Sequence, residues 1–399
     1  MTDRTTRHNR RIHATSLGLT KLADGLIDPK LVLAWLMTAL GAPAAMIGLL
    51  VPIREAGALL PQLFISGRIR ATEAARHVWA MGSAVQGLAA GGIALAVLLL
   101  QGPVAGGAIL ACLAVLALAR SVCSASYKHV LGKTVPKSER GQTTGLAGSL
   151  SAVGILGFAA ILAFGPGPSL PLIAGAVALA AGLWLLAAAN FTRLDEPAKA
   201  QAEDTEPLAA MRENLGLLKT EPQLRAFILT RGLLIATALA PPFVVTLSAA
   251  SLDRLGWMVA ASALAALVSA WVWGWLSDRS SRKVLALAGL LAALTLAGVA
   301  LAGRDAPGAV SAALLFLLMI AHQGVRLGRS THLTDMADAG SRAGFTAVSN
   351  TVIGVLLLLG GLYGAVAGLF GTVAVIWIFA AQSLLGARAA LRLREVQRQ

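Results

Sequence analysis

Val284–Ala302 reads VLALAGLLAALTLAGVALA and carries no charged side chain, directly behind the polar cluster Ser277-Asp278-Arg279-Ser280-Ser281-Arg282-Lys283. A spanning helix needs roughly 20 mostly apolar residues, rising about 1.5 Å each through a hydrocarbon core of about 30 Å. The stretch is therefore read as a transmembrane helix entered from a basic loop.

The same reading extends along the chain. Spans are predicted at Leu17–Leu40, Ala44–Ile65, Val78–Leu100, Val104–Ser126, Gln142–Phe164 and Leu170–Asn190. Six more follow at Ala226–Ala249, Leu255–Leu276, Val284–Ala302, Ala309–Gly328, Ala343–Leu369 and Val373–Leu391. The first span is interrupted by Lys21, Asp24, Asp28 and Lys30. Composition agrees: 57% of the 399 residues are hydrophobic and 13% charged, against about 25% charged in soluble domains. Apolarity comes from Ala, Leu, Val and 42 glycines rather than from aromatics, and small residues suit close helix approach in lipid.

A net charge of +14 could suggest nucleic acid, but the cations lie in short clusters between apolar runs, with no aromatic stacking platform. With a cytoplasmic N-terminus, 26 of the 33 lysines and arginines fall on the cytoplasmic side and only Arg254 and Arg304 lie outside. The positive-inside rule then places both termini in the cytoplasm. The implied location is a bacterial inner membrane. Cys112 and Cys123 fit reduced structural thiols, and the N-terminal segment lacks a cleavage pattern.

Residues 192–223 hold the acidic cluster Asp195–Glu206, broken by Pro197 and Pro207. They read as a cytoplasmic linker between two six-helix halves, 16–191 and 224–391, with tails at 1–15 and 392–399. Internal repetition supports the split. Leu19-Thr20-Lys21 and Leu229-Thr230-Arg231 open the two halves, followed by Pro29 and by Pro241-Pro242. Val135-Pro-Lys-Ser-Glu-Arg140-Gly141 follows the fourth span, and Ala339-Gly-Ser-Arg342-Ala-Gly344 follows the tenth.

The cluster Gly274-Trp-Leu-Ser-Asp278-Arg279-Ser-Ser-Arg282-Lys283 resembles the loop motif of the major facilitator superfamily. That family carries a glycine, an Asp-Arg pair and basic residues between helices 2 and 3, and again between 8 and 9. The first copy, Leu63-Phe-Ile-Ser66-Gly67-Arg68-Ile-Arg70, keeps the basic residues but has Leu63 and Gly67 where glycine and aspartate are usual. Arg120 in the fourth span and the basic run Lys133–Gly141 are also similar to the family. Helix 5, Gly145 to Gly157, lacks the Gly-Pro step of members with the antiporter signature, which argues against drug–proton exchange.

The resemblance implies an all-α membrane protein of about 12 transmembrane helices in two pseudo-symmetric halves. It implies a permease moving a small solute by alternating access, driven by an ion gradient; a drug or metabolite efflux pump is the alternative within transport. A non-transporting sensor or scaffold is the alternative of another class. Gly274, Asp278, Arg279, Arg282 and Lys283 would form the cytoplasmic gating motif. Physically, Asp278 is placed to accept hydrogen bonds at a helix N-terminus, and the cations can meet carboxylates or lipid phosphates.

Charges inside the spans are functional-site candidates by default, because each costs roughly 2.5–3.5 kcal/mol at a helix centre. Lys21, Asp24 and Asp28, spaced by three and four, share a face, and Pro29 then breaks the phase. Arg54 and Glu55 point about 100° apart, so each reaches a different partner, and burial makes Glu55 the favoured proton-coupling carboxylate. Arg120 heads a polar stripe on helix 4, matched by His322 on helix 10, and Arg231 lies in helix 7. Asp24, Asp28, Arg54, Glu55, Arg120, Arg231 and His322 are thus the substrate or proton-coupling candidates, structural ion pairing being the open alternative. Cations in this setting suit an anionic or zwitterionic solute. No HExxH, CxxC pair, GxSxG or GxxxxGK[ST] occurs, so neither an enzyme nor an ATP-driven pump is expected. The expected partners are a small-molecule substrate, protons and membrane lipids, with no cofactor, metal or nucleic acid, the chain acting as a monomer.

Overall fold

In the computed structural model, residues 3–61, 74–197, 216–248, 254–337 and 342–397 are described. The first loop-motif copy around Leu63–Arg70 and most of the linker lie outside them. Every regular element among the described residues is a helix. The first predicted span is split: α1 (Asp3–Leu26) ends before Pro29 and α2 (Val32–Ala39) resumes beyond it. The second is in pieces too, α3 (Ala44–Ile47) and α4 (Leu50–Leu59). Then come α5 (Ala75–Leu99), α6 (Gly102–Thr134), α7 (Lys137–Phe164) and α8 (Leu170–Phe191). The later helices are α9 (Pro222–Leu234), α10 (Ala236–Ser248), α11 (Leu255–Ala302) and α12 (Gly308–Met336). The last are α13 (Arg342–Gly360), α14 (Leu362–Phe370) and α15 (Thr372–Leu391).

Each of the twelve predicted stretches is helical over most of its described residues. Among the described residues nine helices are long and apolar enough to cross a membrane, and Leu255–Ser269 is a shorter apolar one. The exposed surface agrees with a lipid solvent. Leu88, Leu99, Phe164, Trp271, Leu301 and Leu369 are largely exposed, far beyond the scattered apolar residues of a water-soluble surface. Lipid neighbours remove the hydrophobic cost of leaving them there.

Several boundaries differ from the sequence reading. α1 begins at Asp3 and α6 runs to Thr134, so polar segments read as tail and loop continue the membrane helices. The cluster Ser277–Lys283 is not a separate loop: helical turns run into it from both sides and break at Ser280, whose backbone is extended (φ −167°, ψ 97°). Ser280 rather than Asp278 takes the capping place, its hydroxyl accepting from the Lys283 N–H at 3.4 Å. A serine oxygen satisfies an orphan amide at a helix start without the desolvation cost of a carboxylate.

The chain divides into two compact units. One comprises Met1–Asp28, Ile53–Phe158 and Ser169–Ala210, the other Pro29–Pro52, Ala159–Pro168 and Met211–Gln399. In the first, α5 packs on α6 and α8, and α8 on α1. Trp79 and Phe191 stack with centroids 4.0 Å apart beside His13 and Tyr127. In the second, α11 packs on α12 and α15, and Phe227 stacks on His332 at 5.4 Å. Here α3 meets α14 so closely that a Cβ at Gly48 would stand 2.5 Å from the Gly364 Cα. Small residues bring backbones together where burial of apolar area between helices gains little.

Each unit ties the segment after its sixth span to the helix ends beside it. In the first, Glu196 accepts from Lys133 at 3.1 Å and from the Arg76 N–H at 2.8 Å, and Asn9 exchanges two bonds with the Asp195 backbone. In the second, Glu395 accepts from the Ser280 hydroxyl at 2.6 Å and from Arg282 at 3.1 Å, while Gln397 accepts from the Ser281 N–H at 2.9 Å. The carboxylates that fasten the two tails thus lie at corresponding places.

Candidate functional site

In the first unit one carboxylate stands between two membrane arginines. Asp24 lies on α1, partly buried, and its two oxygens accept from Arg54 of α4 and Arg120 of α6. The arginines differ in setting: the Arg54 side chain is 9% exposed and that of Arg120 40%. A guanidinium offers five donors in a fixed plane, and Arg54 does not satisfy all of them. Its Nη1 is buried without a hydrogen-bond partner among the described residues.

Beside this cluster a cavity of about 210 Å³ is lined by Lys21, Asp24, Arg120, Tyr127, Lys128 and Trp79, among others. Three cations therefore line it against one carboxylate. Gln86 and Trp184 complete the wall. Gln86 donates to the Cys123 sulfur at 3.3 Å, and Cys123 is a free, buried thiol. Lys21 reaches the Thr144 carbonyl of α7 at 3.4 Å.

The second unit holds a directional hydrogen-bond chain. Lys30, in the gap between α1 and α2, lies 2.9 Å from His322 Nε2. An ammonium has donors only, so Nε2 accepts and the neutral ring carries its proton on Nδ1. That proton is donated to the Thr237 hydroxyl, 3.3 Å away, which in turn donates to the Leu234 carbonyl at 2.9 Å. Polarity is fixed from Lys30 to the backbone of α9. Arg231, buried on α9, donates to Ser349 at 2.7 Å and Asn350 at 3.0 Å on α13.

The predicted residues are thus placed as follows. Asp24, Arg54 and Arg120 come together, as one ion-paired group. His322 and Arg231 lie in the second unit on different neighbours. Asp28 and Glu55 are partly buried in the first unit, at the end of α1 and on α4. In the loop motif, Arg282 pairs with Glu395 and donates to the Leu393 carbonyl at 3.1 Å. Arg279 instead lies over the Trp275 ring at 3.5 Å, a cation–π contact. Gly274 faces open space, and Asp278 and Lys283 are exposed. Sequence reasoning missed the cavity wall of Trp79, Gln86 and Trp184, the Thr237 link, and the carboxylates Glu196 and Glu395. Nothing in their spacing marked them, because each is defined by a partner on a distant helix.

No family model matches the chain, and no curated protein matches it. Solved structures do. A mutant form of the nucleoside transporter NupG superposes with a TM-score of 0.74 at 16% identity, covering 97% of this chain and 100% of its own. A D-xylose-proton symporter gives 0.70 at 13% identity, covering 97% and 98%. The xylose transporter XylE from E. coli, inward open, gives 0.68 at 11% identity, covering 96% and 95%. Similarity over nearly the whole of each chain, with twelve helical stretches in the predicted order, leads to one conclusion: this chain has the fold of the major facilitator superfamily transporters.

Proposed function

We propose that the chain is a secondary transporter carrying a small solute with an anionic group across a bacterial inner membrane by alternating access, coupled to protons, with both termini in the cytoplasm. The observation that carries the reading is the lining of the first unit's cavity by Lys21, Arg120 and Lys128 against the carboxylate of Asp24. In a low-dielectric span, excess positive lining favours an anionic group over a neutral one. Arg120 is the more exposed arginine on Asp24, so it is the one an entering carboxylate or phosphate reaches. The solute would take over the Arg120 bond while Arg54, which does not line the cavity, keeps Asp24. Trp79, Tyr127 and Trp184 give the solute's apolar part a flat wall.

The neighbours named above carry a nucleoside and D-xylose, both uncharged, and one is a proton symporter. Proton coupling is adopted from that likeness together with Glu55. The test is counterflow in proteoliposomes with labelled succinate and phosphate, against labelled uridine and xylose. Anion counterflow that is lost in Arg120→Ala is expected; counterflow of the uncharged solutes alone, or an unaffected Arg120→Ala, would overturn the reading. Glu55→Gln should keep counterflow yet lose proton-driven accumulation, and full accumulation would remove Glu55 from the coupling step.

A further inference from the structure

The polar extension of α1, ahead of its apolar run, builds a second cavity in the first unit. Arg7, Arg10, Arg11 and Ala14 recur at helical spacing on one face of α1. With Gln142, Thr143 and Leu146 of α7 they line a cavity of about 320 Å³. It shares no lining residue with the cavity beside Asp24.

The two helices run parallel here. Arg10 donates to the Gln142 side chain at 2.8 Å, a Cβ at Gly18 would stand 3.7 Å from the Ala147 oxygen, and one at Gly25 would strike Ile155. Contacts thus advance together along both helices. Ala14 and Leu146 are level and close one end of the cavity with apolar side chains. Arg7 stands at the other end, beside the first turn of α7, whose N-terminal dipole adds to the positive mouth. Arg10 is committed, since it also pairs with Glu139 at 3.1 Å. Arg11 is exposed and makes no ion pair among the described residues. The Thr143 hydroxyl donates to the Glu139 carbonyl at 2.8 Å, so towards a ligand it can only accept. Gln142 has the opposite capacity: its oxygen accepts from Arg10, and its amide nitrogen keeps two donors. Among the described residues no acidic side chain lines the cavity itself.

From this geometry we infer that the α1–α7 cavity is a binding site for a phosphate group, held by Arg7 and Arg11 with the Gln142 amide as a further donor. One guanidinium fork already satisfies the two oxygens of a carboxylate. Two forks a helical turn apart, with an amide beside them, match the larger number of oxygens on a phosphate. The same chemistry reaches this place from two sources, a lipid headgroup or a soluble phosphate. Each basic residue facing such an anion strengthens binding about fivefold, so the pair contributes about thirtyfold. The inference does not depend on what the protein transports.

The test uses purified full-length protein carrying Arg120→Ala, which removes the anion contact proposed for transport and leaves this cavity intact. Inorganic phosphate is titrated by calorimetry in an uncharged detergent, and phosphatidylglycerol by native mass spectrometry. At least one probe should bind; phosphate alone identifies a soluble anion and phosphatidylglycerol alone a headgroup, and either supports the site. Adding Arg7→Ala/Arg11→Ala should weaken that binding about thirtyfold. Gln142→Glu keeps an acceptor for Arg10 but sets a carboxylate where the amide stood, and should abolish binding while the protein stays folded. Arg392→Ala/Arg394→Ala, which removes two exposed cations of the other unit, should leave it unchanged. Binding of neither probe, undiminished binding after removing Arg7 and Arg11 or in Gln142→Glu, or equal loss in the Arg392/Arg394 control would each overturn the assignment.

Discussion

Asp24→Asn isolates the central electrostatic claim, because it keeps the side chain's size and removes its charge. In the folded protein Asp24 neutralises Arg54, whose side chain is 9% exposed, and shares its second oxygen with Arg120, 40% exposed. The two bonds are not equivalent. Breaking a buried ion pair from one side costs about 3–5 kcal/mol, since it strands a charge that water cannot reach. A half-exposed pair at a cavity wall strands less charge when broken, because water reaches the arginine left or removed there. Almost the whole penalty of Asp24→Asn should therefore come through Arg54, and Arg120→Ala should cost little.

With an unfolding entropy of about 2.1 cal/mol/K per residue, a penalty of 3–5 kcal/mol lowers the midpoint of a chain of this length by about 4–6 °C. Thermal unfolding in detergent, followed by tryptophan fluorescence, reads the shift. Adding Arg54→Gln to Asp24→Asn removes the stranded guanidinium and should recover most of it, which separates the ion pair from a packing defect. The reasoning fails if Asp24→Asn moves the midpoint by less than about 1 °C, if Arg120→Ala costs as much as Asp24→Asn, or if the double variant is as unstable as the sum of its parts.

Two further outcomes follow from the second unit and the helix packing. Burial acts to raise the Glu395 carboxyl, but the Ser280 hydroxyl and the Arg282 guanidinium outweigh it and hold it below its usual 4.5. A depressed carboxyl gives stability that is complete above pH 4.5 and is lost as pH falls through the lower folded value. Unfolding midpoints measured down the acid limb should show less of this loss in Glu395→Gln, and an identical acid limb would rule the carboxylate out. At Gly48, alanine would set a Cβ 2.5 Å from the Gly364 backbone, whereas at Gly91 it meets nothing within 4 Å. Gly48→Ala is expected to destabilise by about 1–3 kcal/mol or more, and Gly91→Ala, inside α5, to stabilise by about 0.5–1 kcal/mol. Equal shifts in the two variants would deny the close approach.

What the sequence disclosed and what it withheld divide along a physical line. Val284–Ala302 declares itself, because the need for an uninterrupted apolar run is local to the run. The split of the first span was also legible, since Pro29 lacks the amide that would continue α1. By contrast, the partners of Asp24 were not legible, because spacing along α1 says nothing of which arginines α4 and α6 bring to it. The cluster at Ser277–Lys283 was read as a loop because of its charge, yet polar residues beyond the hydrocarbon core continue a helix at no cost. The break needs only Ser280.

The repeated tripeptides acquire a meaning from the packing that their letters alone could not supply. Leu19-Thr20-Lys21 and Leu229-Thr230-Arg231 sit near the starts of the two halves. Lys21 reaches the Thr144 carbonyl on α7, the fifth span. Arg231 reaches Ser349 and Asn350 on α13, the eleventh and its counterpart. The same position in each half thus sends a cation to neutral acceptors on the same partner helix. Lysine, with a compact ammonium, meets one carbonyl; arginine, with its planar fork, spans two side chains. A contact repeated in both halves is what a structural fastening between first and fifth helices requires, whereas a solute site needs no such symmetry. Arg120 has the opposite character. His322, its nearest match by sequence, joins a chain from Lys30 to Thr237 and has no carboxylate–arginine cluster of this kind around it among the described residues. Asymmetry between otherwise related helices falls where the first unit pairs Asp24 with two arginines beside a cavity. That is where a solute would distinguish one half from the other.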